Sequence, residues 1–375
     1  MIVRTGTVSP GRDRVNWTGT GRGPSCRRRR DLRRAGLEGT FPIGPSPPSL
    51  PVTPFRHPSH HPGIVAITLV AGVMACAAGN EAAFAPPVSP AAQAISFLGD
   101  SLFELPLSAE TRARYDSQLA EAWTAYESAP MNADSIIWYG RRLGYLGQFR
   151  EAIEIYTRGL ALHPDNPWML RHRGHRYISV RELDRAIDDL AHAAALVEGQ
   201  PDQVEPDGQP NATNQPIGTL QSNIAYHLAL GWYMKGEYAR AVEIYRKELA
   251  AARNDDRRVS TGHWLYMSLR RLGQDAEATA LLASFSRDME VIENQTYHNL
   301  MLMYKGVLPP DSVLTVGPTG EMSVTDATAA YGVGNWHIYN GRREQGVEIF
   351  RRIIAAGQWG AFGYIAAEAD LAYGR

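Results

Sequence analysis

The densest chemistry in the chain is the run RHRGHRY, Arg171–Tyr177. His172 and His175 stand three apart, a spacing that puts both imidazoles on one face of a helix. With a third donor from His192, Asp188 or His227 they could hold a metal ion and support a metal-dependent hydrolase. No His-Glu-x-x-His accompanies them, and a histidine pair at this spacing arises easily by chance. His263-Trp264 and Trp336-His337 are further candidates for acid–base work. In each, packing beside an aromatic ring is the commoner reason for a histidine. A Gly-Lys-Thr phosphate loop, a Gly-x-Ser-x-Gly elbow and a cysteine metal knuckle are all missing from the sequence. The expectation is a non-enzymatic protein with no metal and no cofactor.

Composition narrows the class. The 375 residues carry 38 basic and 39 acidic side chains, a formal net charge of −1, so no basic field argues for a nucleic-acid partner. Two cysteines, Cys26 and Cys76, are too few for a disulfide scaffold. No apolar run reaches the ~18 residues of a membrane-spanning helix. The averages conceal a split: residues 1–60 hold eleven arginines against three acids, are rich in Gly and Pro, and show no apolar periodicity. Such a stretch cannot bury enough surface to offset its chain entropy. Arg27–Arg30 could serve as a tail for nucleic acid or anionic lipid. The scarcity of lysine (Lys235, Lys247 and Lys305 only) instead points to a GC-rich genome with spurious upstream reading frames, so 1–60 is expected to be a disordered extension from a misplaced start.

Ile64–Ala75 (IVAITLVAGVMA) is a short apolar core behind Arg56, followed by Cys76 and a small, polar segment. These are the parts of a secretion signal. Val73-Met74-Ala75-Cys76 resembles the bacterial lipoprotein box, which implies a signal peptide over 61–76, lipid on Cys76 and a tether over 77–105. The expected address is the extracytoplasmic side of a bacterial envelope. If the signal is never used, the protein is a cytosolic adaptor.

Beyond residue 100 the chain aligns to itself with a period near 34 residues. One small position recurs at Ala152, Ala186, Ala241, Ala278 and Gly346. Twelve residues earlier lie Gly140, Gly174, Ala229, Tyr266 and Gly334; five earlier lie Gly147, Arg181, Gly236, Gly273 and Gly341. Four residues later come Tyr156, Leu190, Tyr245, Leu282 and Phe350. Small residues let two helices approach, glycine ends the first helix, and the large residue is expected to fill the gap to the next hairpin. The pattern resembles the tetratricopeptide repeat, with Ala133–Asn166 its best unit. The resemblance implies an all-α, right-handed superhelical solenoid over 106–375, with hairpins near 133–166, 167–200, 222–255, 259–291 and 327–360. Ala109–Ser128 precedes them as half a capping hairpin, and the segment from Gln358 closes the stack. Gln200–Gly218 and Val307–Asp326 read as surface loops. Asp202, Glu205 and Asp207 lack the spacing of a calcium loop.

In that family ligands meet the first helix of each unit. The matching positions are Arg141 and Tyr145; Trp168, Arg171 and His175; Asn223, Tyr226 and Tyr233; His263, Met267 and Arg270; and Asn335 and Tyr339. This set has cations, amides and aromatics but no carboxylate. It implies a concave face that binds an extended peptide or protein segment bearing acidic groups, as a docking surface for envelope or secretion proteins.

Overall fold

The computed structural model describes residues 91–314 and 320–375. The arginine-rich stretch 1–60, the apolar run ending at Cys76 and residues 77–90 of the expected tether lie outside the described residues.

Helix follows helix from residue 109 onward. The first is α1 (Ala109–Ser128), and the expected hairpins are α2 (Ala133–Tyr145) with α3 (Phe149–Leu162), α4 (Pro167–Ser179) with α5 (Leu183–Val197), and α6 (Leu220–Met234) with α7 (Tyr238–Ala251). Then come α8 (Asp255–Arg271), a short α9 (Asp275–Leu282), α10 (Gln295–Tyr304), α11 (Val324–Tyr339), α12 (Arg343–Ala355) and α13 (Phe362–Tyr373). Side chains set several starts: Asn132, Asn166 and Asn254 each accept the amide three residues on, and Thr219 and Ser323 form capping boxes. Gly147, Gly236, Gly273 and Gly341 end the first helices in the left-handed region, with φ between 70° and 83°. The described residues form an all-α solenoid of stacked helical hairpins.

Packing inside a hairpin follows the small-to-large register, with one correction. The large residue fills the hollow of its own hairpin rather than the gap to the next. A Cβ on Gly140 would come within 2.5 Å of the Tyr156 ring, on Gly174 within 2.7 Å of Leu190, and on Gly334 within 2.7 Å of Phe350. The fourth unit solves the same problem one turn away. Tyr266 occupies the small position and stacks on Tyr304 at 4.3 Å, while Gly262 receives Phe285, whose ring would lie 2.4 Å from a Cβ there.

Two segments close the inner side. The tether expected over 77–105 gives way, from residue 91, to packed chain. Strands β1 (Ala94–Ile95) and β2 (Ser101–Leu102) pair antiparallel, with Ala94 and Leu102 buried. Arg150 donates to the Gln93 backbone carbonyl at 2.8 Å, and Trp359 Nε1 donates to the Phe103 carbonyl at 2.7 Å. Apolar burial and paired backbone thus override the low-complexity composition. Helix α13, in the segment expected to close the stack, is buried from Gly363 to Asp370 and packs against α6, α11 and α12.

Arg181 fixes this closure. It stands where its counterparts are glycine and keeps the same left-handed backbone, φ 68°. That conformation costs a non-glycine residue roughly 1–2 kcal/mol. The side chain offsets it: Arg181 Nε and Nη2 donate to Glu368 of α13 at 3.1 and 2.7 Å, and Nη2 also donates to the Trp359 carbonyl at 3.1 Å. Glu368 is fully buried and accepts the Phe97 amide at 2.6 Å as well. Arg181→Gly therefore restores the turn residue of the repeat yet destabilises the fold by about 3 kcal/mol, because Glu368 is left buried without its cation. Adding Glu368→Gln recovers at least half of that loss. Urea unfolding of the single and double variants checks both; an Arg181→Gly protein as stable as wild type contradicts the assignment.

Candidate binding pocket on the inner face

The first helices of successive hairpins line a cavity of about 490 Å³. Helix α2 contributes Arg141 and Tyr145, α4 contributes Arg171, His172, His175 and Arg176, α6 contributes Asn223, Tyr226 and His227, and α8 contributes Arg257. The opposite wall is the chain's own: Glu205–Gln209, Ile217 and Gly218 of the 200–218 insertion, Glu293, Asn294, Thr296 and Tyr297, Val324, Thr325 and Thr328, and Phe362. The size suits a compact group or a chain end.

The 200–218 insertion is not the plain surface loop expected from its composition. Its base is held by a bridge between Val204 and Thr219 and by the Glu205 amide donating to the Gly218 carbonyl at 3.0 Å. Its tip is drawn inward by Arg141 Nη2 donating to the Pro206 carbonyl (2.8 Å) and Arg142 Nη1 to the Gly208 carbonyl (2.7 Å). Gly208 is required at that approach, since a Cβ would lie 1.8 Å from the Tyr145 hydroxyl. Glu205 is thereby carried into the pocket and buried.

Four arginines (Arg141, Arg171, Arg176 and Arg257) and three carboxylates (Glu205, Asp207 and Glu293) line the pocket, and they are unevenly paired. Arg171, 8% exposed, donates from Nη1 to His172 Nδ1 at 2.8 Å and lies 3.2 Å from Glu205 through Nε. That second contact is close but off the line of a hydrogen bond, so Nε has no aligned acceptor. Arg176 donates to His175 Nε2 at 2.7 Å and lies over the Phe149 ring. Burial lowers its pKa to about 10. Arg257 pairs with Glu248 at 3.1 Å and donates to Asn223 Oδ1 at 3.3 Å. Among the described residues neither Arg141 nor Arg176 has a carboxylate partner.

The imidazoles are neutral. Burial first, and then neighbouring guanidinium groups, hold His172, His175 and His227 well below their ordinary range. Their hydrogen bonds assign the tautomers. His172 Nδ1 and His175 Nε2 accept from arginine, which puts the ring protons on His172 Nε2 and His175 Nδ1. His227 Nδ1 donates to the Asn223 carbonyl at 2.6 Å, and its ring lies 4.4 Å from that of His175. Phe362 closes this cluster 5.3 Å from His175. On each of His172 and His175, then, the lone pair a metal would need is already taken by a cation. His192 pairs with Asp165 on the outside and Asp188 is exposed, so neither joins His172 and His175. No group of three His, Cys, Asp or Glu side chains able to hold a metal occurs among the described residues.

Of the thirteen expected contact positions, Arg141, Tyr145, Arg171, His175, Asn223 and Tyr226 come together here. The others do not. Trp168 packs half-buried against the amino-terminal core. Tyr233, His263, Met267 and Asn335 are core residues: Tyr233 bonds Tyr331 at 2.8 Å, Asn335 donates to Tyr233 at 2.7 Å, and His263 bonds Tyr304 at 3.2 Å. Arg270 pairs with Asp275 at 2.7 Å and lies over the ring of Tyr339. The physical reason is shared: α10, α11 and α13 pack onto α8 and α6 and cover the inner face of the later units. An extended peptide has no open groove there. Sequence reasoning missed Arg176, Glu205, Arg257 and Phe362 as pocket residues. Arg176 lay inside the run Arg171–Tyr177 but at none of the repeat's ligand-contact positions; the other three depend on folding at long range.

No protein-family description matches the chain, and no curated protein does. Solved structures similar to it include YrrB, a TPR protein with an unusual peptide-binding site (16% identity, 63% of this chain and 91% of that one, TM-score 0.36). Others are MamA (18% identity, 47% and 91%, TM-score 0.35) and nearly identical TPR-like repeats of a Podospora anserina kinesin light chain (17% identity, 60% and 95%, TM-score 0.36).

Burial of neutral imidazoles makes stability depend on pH in a defined direction. His172, His175, His227 and His263, the last lowered to about 3, bind protons more readily unfolded than folded. Their contribution is complete above pH about 6.5 and is lost as pH falls toward the folded values. Lowering pH from 7.5 to 5.5 should remove about 1 kcal/mol for each of the four. Urea midpoints across that range check it, and His227→Gln should flatten the slope; a midpoint that holds steady or rises contradicts the neutral state.

Proposed function

We propose that this protein is a non-catalytic interaction module that receives an acidic group of a partner peptide or protein in the inner pocket. The observation that carries the reading is the pair Arg141 and Arg176, which face the cavity and, among the described residues, hydrogen-bond a carbonyl, a hydroxyl and an imidazole and lie over aromatic rings without forming an ion pair. A partly buried guanidinium with no carboxylate paired to it is a binding free energy not yet realised. Tyr145, Tyr226 and Phe362 add flat contact area at little entropic cost. The ligand segment is short, because α13 and the 200–218 insertion occupy the rest of the inner face.

The setting we propose is the bacterial envelope, with the chain exported by the Ile64–Ala75 signal and anchored through lipid on Cys76. The support is the order of charged flank, apolar core, small residues and cysteine.

Fluorescence anisotropy with a labelled tetraglutamate peptide tests the binding half. Arg141→Gln and Arg176→Gln should each weaken binding on the order of tenfold, the worth of one charge-assisted hydrogen bond, with helicity unchanged. Tetraglutamine should bind poorly, and added salt should weaken the complex. Equal binding of tetraglutamate and tetraglutamine, or by wild type and both variants, defeats the reading. Mass spectrometry of the mature amino terminus from cells tests the export half: a lipid-modified Cys76 is expected, and an intact 1–75 segment defeats it.

A further inference from the structure

Glu205 is the odd charge of the pocket. It belongs to no repeat helix, yet it is 5% exposed among side chains of α4 and α6. Asn223 Nδ2 donates to its Oε2 at 2.8 Å, Arg171 Nε lies 3.2 Å from the same oxygen, and His172 Nε2 lies 3.8 Å from Oε1. The last two contacts are poor. Arg171 Nε and His172 Nε2 are both buried and neither has an aligned acceptor. An unmet buried donor costs about 1–3 kcal/mol, so a pair selected only for stability would close these contacts. The carboxylate fills the cradle without completing it.

The segment that brings Glu205 in is held mainly by polar contacts and buries little apolar surface. Among residues 201–216, Pro201–Val204, Pro210 and Ala212–Pro216 are exposed, and Val204, the one aliphatic residue of branched type among them, is 62% exposed. Polar contacts hold it: besides those at the base and tip, Gln209 Nε2 donates to Gln118 at 3.1 Å, Asn211 to Glu293, and Asn254 Nδ2 to the Ile217 carbonyl at 2.9 Å, with half-buried Ile217 at its far end. Segments of this kind open locally at far lower free energy than packed helices.

We propose that Arg171, His172 and Asn223 form a carboxylate-binding subsite that the chain's own Glu205 occupies here, and that an acidic side chain of a partner peptide enters by exchanging with it. The proposal rests on the reading of the pocket as an acid-binding site and adds a built-in competitor. Because the partner binds only when Glu205 has left, its apparent affinity is the intrinsic one reduced by the fraction of open subsite. Neutralising Glu205 removes that reduction and leaves Arg171 in need of an anion.

The test uses the full chain and the labelled tetraglutamate peptide. Glu205→Gln should bind it about tenfold more tightly than wild type, and Glu205→Ala should shift in the same direction. In wild type, saturating peptide should speed amide hydrogen exchange over residues 203–209 while the repeat helices hold their protection. Wild-type binding with equal or weaker binding by both variants overturns the exchange and leaves the acid-binding reading standing. No binding by any of the three proteins overturns both. Exchange at 203–209 that is unchanged or slowed by peptide overturns the proposal even if a variant loses its helicity.

Discussion

The buried pair between Arg181 and Glu368 joins residues 187 positions apart and decides what kind of inner face this solenoid has. A stack of helical hairpins left to itself curves around an open groove. Here the turn between α4 and α5 reaches across to the last helix, and the same carboxylate takes the Phe97 amide from the amino-terminal hairpin. Three parts of the chain are thereby held at one point. With α13 inside, Phe362 reaches the imidazoles of His175 and His227, and Phe149 meets Trp359 edge-on at 5.3 Å. A groove becomes a pocket.

Closure changes the electrostatics of what it encloses. Guanidinium groups that would be screened on an open surface are partly removed from water, and their need for an anion grows. The fold meets that need unevenly. Arg257 has Glu248, and Arg171 has an imperfect partner in Glu205, while Arg141 and Arg176 have only neutral acceptors. The imidazoles stay neutral because burial and this positive surround both oppose protonation. Neutral rings then serve as acceptors that orient the arginines, a role distinct from ligating a metal.

The helices were legible in the sequence because their cause is local. Gly140 and Tyr156 stand sixteen residues apart within one hairpin, and the same offset at Gly174 with Leu190 and Gly334 with Phe350 reports direct contact. Turn glycines were legible for the same reason. What escaped is what acts at long range. Arg181 stood out only as a missing glycine, since nothing near it names Glu368 as its partner. The 200–218 insertion looked like solvent-exposed chain because its composition is polar, and the polar groups proved to be the means by which Arg141 and Arg142 draw it in. Tyr233, His263, Met267 and Asn335 occupied ligand-contact positions of the repeat, but later helices of the same chain cover them. A repeat pattern specifies each hairpin and is silent about whether the far end returns.

Native-state hydrogen exchange of α13 tests the central claim most directly. If this helix is an integral wall of the pocket, the amides of Ala366, Ala367 and Ala369 exchange only through global unfolding, at the same free energy as those of Tyr177 and Ile178 in α4. If they exchange through a separate local opening several kcal/mol cheaper while α4 stays protected, α13 is a detachable tail, the inner face is an open groove, and the account fails.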